Sequence, residues 1–375
     1  MPNPRIFIAA GEASGDLYGA ALATALRRLY PDAELIGLAG PRMEDAGVVP
    51  IVDFERLVVM GFVEIVSRLP FFVSLRRRIR RLLADDPPDL VIPIDYPGLN
   101  LWLTGQAHGA GIPVLYYVPP QLWAWRQERA RILAEKADRV AVVFPQEEPF
   151  LREFGVEAVF VGHPLLDPVS SWETPSEAIA AIGADPDRPI LGILPGSRPQ
   201  EVRRLLGPFL DAAAQVVRRR PEVQVVVSSA PHVPAGFYAA VREYPVIPDS
   251  VRVLRAATAV LTKSGTTTVQ AALAQTPLVI AYRVHPLSFL LARRLVRVDS
   301  IGMVNILAGE RIAPEFVQYL PSERIAEALL PLLDPNSATR EAMVESLHAI
   351  RAMLGEPGAP ERVAGMASQL LDERQ

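Results

Sequence analysis

Ile190-Leu191-Gly192-Ile193-Leu194-Pro195-Gly196-Ser197-Arg198 is an apolar run that ends at a proline and opens into a glycine, a hydroxyl and a guanidinium. The run reads as a buried strand and the polar residues as its turn into a helix, so backbone N–H groups and a helix N-terminus would face an anion. Ala259-Val260-Leu261-Thr262 leads in the same way into Lys263-Ser264-Gly265-Thr266-Thr267-Thr268. Ordinary helix capping by serine and threonine would explain either segment taken singly. Two such turns with two cations, Arg198 and Lys263, describe a diphosphate cradle, and a nucleotide is the guest it suits. Lys136 is the only other lysine of the chain, so the place of Lys263 in this turn adds to the signal.

Outward from these turns the chain keeps the same alternation. Short apolar runs near 6–10, 34–39, 90–94, 113–118 and 140–144 are separated by helical patterns, and a second series follows near 190–194, 223–228, 259–262 and 277–281. Strand and helix alternating at this spacing predict an α/β protein of two Rossmann-like, doubly wound parallel sheets. The stretch 162–175 holds three prolines and reads as a linker. We therefore expect a first domain over 1–165 and a second over 175–344, with C-terminal helices from about 345–375 packing back on the first. Ligands of such folds bind outside the carboxyl ends of the strands, which predicts a cleft with both sheets facing it.

At 375 residues the chain suits two domains; half of its residues are apolar and its net charge is −4. That balance provides no overall basic field for nucleic acid. Cysteine is absent, which excludes disulfides, thiolate metal sites and a cysteine nucleophile. The five histidines have no metal-ligand spacing, and Asp185-Pro186-Asp187 in a proline-flanked loop is a weak metal motif, so no metal or cofactor is expected. The segment from Leu57 to Leu75 is broken by Glu64, Arg68 and Pro70 and is no spanning helix. After Pro70, residues Phe71, Phe72, Leu75, Ile79, Leu82 and Leu83 form one helical stripe, with Arg76, Arg77, Arg78, Arg80 and Arg81 on the remainder. This is either a basic amphipathic helix for an anionic membrane surface, the two phenylalanines touching lipid, or a core-facing helix with a solvated arginine face.

The other end of the chemistry lies in the first domain. Gly11-Glu12-Ala13-Ser14-Gly15-Asp16 follows the first strand and opens a helix, but it lacks the G-x-G of a dinucleotide fingerprint. Glu12 and Asp16 suit recognition of hydroxyl or amide groups, while Ser14 or Asp16 as a helix cap is the plainer reading. Asp95 ends the apolar strand Leu90-Val91-Ile92-Pro93-Ile94, where a carboxylate can have a raised pKa and serve as general base toward a sugar hydroxyl. Tyr116, Tyr117, Trp123 and Trp125 form an aromatic wall after the next strand.

Taken together with Val59-Met60-Gly61-Phe62-Val63-Glu64, Ile94-Asp95-Tyr96-Pro97, Trp123-Ala124-Trp125-Arg126, Val161-Gly162-His163-Pro164 and Asn305-Ile306-Leu307-Ala308-Gly309, the turns above resemble, in that order, the lipid-A-disaccharide synthase family. The resemblance spans nearly the whole chain. It implies a GT-B glycosyltransferase that joins UDP-2,3-diacylglucosamine to 2,3-diacylglucosamine 1-phosphate with inversion, giving a β(1→6) disaccharide and UDP. It also implies that UDP-sugar is held by Gly196, Ser197, Arg198, Lys263, Ser264, Gly265, Thr266, Thr267, Thr268, Gln270, Asn305 and Glu315. Gly11, Glu12, Ser14, Gly15, Asp16 and Met60 would line the acceptor site, and Asp95 would take the proton of the acceptor 6-hydroxyl. Region 57–83 would rest peripherally on the inner face of the cytoplasmic membrane, and fold analogy allows a homodimer. The chain departs from the family pattern at Gly98, where a second aspartate is common, at Pro119 for a serine and at Gln270 for a glutamate. Those departures leave two other readings: a UDP-N-acetylglucosamine 2-epimerase-like enzyme and a non-catalytic nucleotide-sugar-binding protein.

Overall fold

The computed structural model describes residues 3–57, 69–123, 127–231, 233–284 and 300–373. Met60, the motif 59–64, residues 124–126 and the histidines at 232 and 285 lie outside the described residues. The chain forms two compact units, one of 3–167 with 354–373 and the other of 168–284 with 300–353.

The first unit is built on seven strands: β1 (Arg5–Ala10), β2 (Glu34–Leu38), β3 (Val49–Pro50), β4 (Leu90–Ile94), β5 (Leu115–Tyr117), β6 (Arg139–Val142) and β7 (Ala158–Phe160). They lie in the order β3-β2-β1-β4-β5-β6-β7 and every pair is parallel. The second unit has β8 (Ile190–Leu194), β9 (Gln224–Ser228), β10 (Val246–Ile247), β11 (Ala259–Thr262), β12 (Leu278–Tyr282) and β13 (Glu315–Val317), in the order β10-β9-β8-β11-β12-β13, again all parallel. Helices on both faces bury the central strands, which is why β4 and β8 read as unbroken apolar runs instead of alternating ones.

The fold is the doubly wound α/β class expected from the sequence. Strand order reverses between β1 and β4 in the first sheet and between β8 and β11 in the second. The register sets Ala10 opposite Ile94 and Leu194 opposite Thr262. The turns leaving each pair therefore emerge side by side at the switch point, the place where sheets of this kind bind ligands. The edge strands β3, β7, β10 and β13 carry no sequence signal, because two or three residues are too few to show a periodicity.

The helix Leu69–Asp85 buries Leu75, Ile79 and Leu83 in the core of the first unit, and Phe71, Phe72 and Leu82 pack half-buried against it. The stripe thus faces the core, with the two phenylalanines half-buried at its edge. The arginines at 76–78, 80 and 81 are exposed, and Arg76 and Arg80 stack on Trp102 at 5.0 and 5.5 Å from its ring centre. The last helix, Ala359–Asp372, packs on the helix Ala13–Leu29 within the first unit, with Tyr30 and Ser368 hydroxyls 2.7 Å apart and Arg362 Nε donating to the Val161 carbonyl at 2.9 Å.

Candidate active site

In the second unit, both glycine turns of the cradle lie at the switch point between β8 and β11. Gly196 (φ +131°) and Gly265 (φ +128°) have backbone conformations that only glycine adopts readily. Arg198 precedes the 21-residue helix Pro199–Arg219 with extended backbone, and Pro199 stands at the first helical position, where a missing N–H costs nothing. Gly265 opens the helix Thr266–Ala274; the buried Thr268 hydroxyl donates to the Gly265 carbonyl at 2.8 Å, and Ser264 Oγ donates to the Ile301 carbonyl at 2.5 Å. Ser197 is exposed, and Gly196, Arg198, Ser264, Thr266, Thr267 and Gln270 are partly exposed, so these groups line an accessible turn.

Lys263 is buried, and its ammonium lies 3.2 Å from Glu201 Oε1, to which Arg198 Nη1 also donates at 3.3 Å. Glu201 is 5% exposed and its other oxygen accepts the Ser197 N–H at 3.0 Å. Sequence reading missed Glu201, since a glutamate in a helix first turn has many ordinary explanations. Asn305 and Glu315 are brought together, but toward each other: Asn305 Nδ2 donates to Glu315 Oε1 at 2.7 Å, and the same carboxylate accepts the N–H groups of Ile301 and Gly302. Asn305 is buried and bonds the Ala313 backbone through both ends of its amide. The pair braces the turn that receives Ser264.

The first unit places its chemistry at the switch point between β1 and β4. Asp95 and Tyr96 stand at φ +50° and +49°, and Val118, at the end of the neighbouring β5, at φ +55°. A left-handed β-branched residue such as Val118 is an outlier, and three left-handed non-glycine residues together mark strain of the kind held at functional sites. The strain is fixed from behind. Asn100, fully buried, donates its amide to the carbonyls of Ala9, Ile94 and Asp95 at 3.0, 3.0 and 2.8 Å, and the Tyr116 hydroxyl donates to the Asp95 carbonyl at 2.9 Å. The Asp95 side chain is left at the half-exposed surface of the turn. Gly98 is exposed with open space around its Cα, so the position is open to solvent.

Gly11 lies against Tyr96, where any Cβ would come within 2.3 Å of the ring, and Gly15 lets the helix N-terminus approach Ala10. Glu12 and Ser14 are partly exposed on this turn, while Asp16 is buried and accepts the N–H groups of Arg42 and Met43 at 3.1 and 3.0 Å. Asp16 thus caps the helix Pro41–Asp45 and shapes the turn from behind it. Glu147, also missed in the sequence, is a buried carboxyl at the start of the helix Glu147–Glu153 that accepts the Phe144 N–H at 3.2 Å. Burial pushes its pKa up to about 8, the backbone N–H groups of Phe144 and Val143 and the Trp123 side chain oppose the rise, and the nearby charge of Asp95 adds to it. His163 is buried between Tyr18 and Phe144; burial pushes its pKa down to about 3, and its Nδ1 accepts the Leu165 N–H, so it serves as a neutral packing group. Asp185 folds back on the Asp187 N–H at 3.0 Å, forming a local turn.

The sequence model of the lipid-A-disaccharide synthetase family matches residues 6–356. The lipid-A-disaccharide synthase of Geobacter metallireducens is 41% identical over 100% of this chain and 99% of its own. Among solved structures, the chain is similar to the glycosyltransferase of kitacinnamycin, with a TM-score of 0.63 at 16% identity over 99% of this chain and 100% of that one. It is also similar to the UDP-GlcNAc 2-epimerase of Neisseria meningitidis bound to UDP-GlcNAc, with a TM-score of 0.64 at 11% identity over 98% and 100% of the two chains. At these identities the two structures share the fold with this chain.

Proposed function

The chain belongs to the lipid-A-disaccharide synthase family and is a glycosyltransferase, and we propose that Asp95 is its general base and that the 196–198/263–268 cradle holds its nucleotide-sugar donor. The donor is UDP-2,3-diacylglucosamine and the acceptor 2,3-diacylglucosamine 1-phosphate. Asp95 takes the proton from the acceptor 6-hydroxyl as that oxygen attacks the anomeric carbon of the donor. The bond from that carbon to the diphosphate breaks in the same displacement, the configuration inverts, and UDP leaves with the electron pair. Arg198, Lys263 and the N-terminus of the helix Thr266–Ala274 offset the charge that develops on the leaving diphosphate.

The observation that carries this reading is the strained, doubly held turn that sets Asp95 at the carboxyl edge of its sheet. Glu12 and Ser14 are the acceptor-facing groups of the neighbouring turn, with Gly11, Gly15 and Asp16 giving that turn its shape. Asn305 and Glu315 act by bracing the loop that Ser264 bonds, and Gln270 offers an amide to the nucleotide. No helix among the described residues is long and apolar enough to cross a membrane. The exposed arginines of Leu69–Asp85 support our reading of peripheral attachment to an anionic lipid surface, the inner face of the cytoplasmic membrane.

The test is product analysis by mass spectrometry after incubation with both lipids. Acceptor-dependent disaccharide with one UDP per disaccharide is expected. UDP release without disaccharide, or epimerised sugar nucleotide, would overturn the transferase reading.

A further inference from the structure

Glu201 puts a buried anion inside a site built for an anion. Its carboxylate is 5% exposed and takes Lys263 and Arg198 on one oxygen, at 3.2 and 3.3 Å, and the Ser197 N–H on the other, at 3.0 Å. These are the same two cations and the same backbone donor that a diphosphate would use. Both glycines of the cradle are shaped around this group. A Cβ on Gly196 would come within 2.5 Å of Glu201 Oε2 and 2.7 Å of its Cβ, and one on Gly265 would come within 3.0 Å of Lys263 Nζ. The two turns, some sixty residues apart in sequence, are therefore joined by one ion pair.

We propose that Glu201 is the resident counter-ion of the cradle: it holds Arg198 and Lys263 when the site is empty, yields them to the diphosphate when UDP binds, and takes them back as UDP leaves. The inference rests on assigning the cradle to UDP. Its physical basis is the cost of a buried, unpaired charge, which the carboxylate removes from the empty site. The same carboxylate repels an incoming diphosphate and so weakens UDP binding. The chain gains a cradle that stays folded when empty and a product that dissociates. Release of product is a common limit on turnover. Glu201 is in this sense a positioning residue.

A scaffold role and a counter-ion role predict opposite signs. In Glu201→Gln the amide still accepts the Ser197 N–H but the negative charge is gone. Titration calorimetry at low salt is expected to show UDP bound about tenfold more tightly than by the wild type. KM for the donor and kcat are expected to fall together as release slows. The empty variant is expected to melt lower than the wild type and to recover more on adding UDP. Glu201→Asp, which keeps the charge but withdraws it by one methylene, should shift UDP affinity in the same direction by less. It also decides the question if the glutamine variant does not fold. In a Lys263→Met background the gain from Glu201→Gln should shrink. Weaker UDP binding by folded Glu201→Gln and Glu201→Asp would overturn the counter-ion role and leave Glu201 a scaffold. A wild-type chain that does not bind UDP would overturn the nucleotide assignment itself.

Discussion

Asp95 owes its place to residues that carry no chemistry of their own. Asn100 presents its amide nitrogen to three carbonyls, so its orientation is dictated: a flipped amide would set oxygen against oxygen. Asn100→Asp would place a charge there with no donor to meet it and is expected to cost about 3–5 kcal/mol, more than Asn100→Ala, as read by chemical denaturation. Asn100→Ala, if folded, is expected to lower kcat about tenfold or more with UDP affinity unchanged, because a loosened turn misplaces the base. Equal loss of UDP affinity would contradict that. Glu147 gives a pH signature. Its pKa in the fold, about 8, lies above the ordinary carboxyl value of 4.5, so the folded state holds a proton that the unfolded chain releases. Stability from this group is complete below about pH 4.5 and is lost as pH rises toward 8, at roughly 1.4 kcal/mol per pH unit. Glu147→Gln should match the wild type near pH 5 and exceed it increasingly toward pH 8 in thermal melts; parallel curves would contradict the shift. Asp95 was legible in the sequence because a carboxylate ending an apolar strand is conspicuous. Asn100, Glu147 and Glu201 were not, since each is defined by partners the fold brings to it. Asn100 meets Ala9 across 91 positions and Glu201 meets Lys263 across 62.

At the level of elements, the central strands were legible because burial on both faces leaves nothing but apolar residues, as in β4 and β8. The edge strands were not, being too short to have a pattern. The arginine-rich helix shows how one stripe supports two readings. Its stripe is taken up by the core through Leu75, Ile79 and Leu83, which leaves the arginines exposed together with Leu69 and Val73 at the start of the helix. The proposed attachment through this helix then draws mainly on the charge of its arginines. Arg77, Arg78 and Arg81 changed together to glutamine should leave the melting temperature nearly unchanged and weaken cosedimentation with vesicles containing phosphatidylglycerol. The expected loss is roughly 1 kcal/mol per arginine, removed equally by high salt in the wild type. Binding that persists in the triple variant would assign the contact elsewhere.

Across the whole molecule, one device is used twice. Each sheet reverses its strand order once, and at each reversal two turns emerge side by side, one carrying a glycine-bearing helix start and the other a charged residue at a strand end. The duplication explains why the fold class could be read from the alternation of runs. Similar folds at 11–16% identity include both a glycosyltransferase and an epimerase, so architecture alone does not choose the reaction. The choice rests on family membership. The most direct test is a single-turnover experiment with Asp95→Asn, saturating acceptor and labelled UDP-2,3-diacylglucosamine, alongside a UDP titration. Disaccharide formation slowed by 10²-fold or more with UDP affinity unchanged is the expected result for a general base. Transfer at the wild-type rate would contradict it and move the base to another residue.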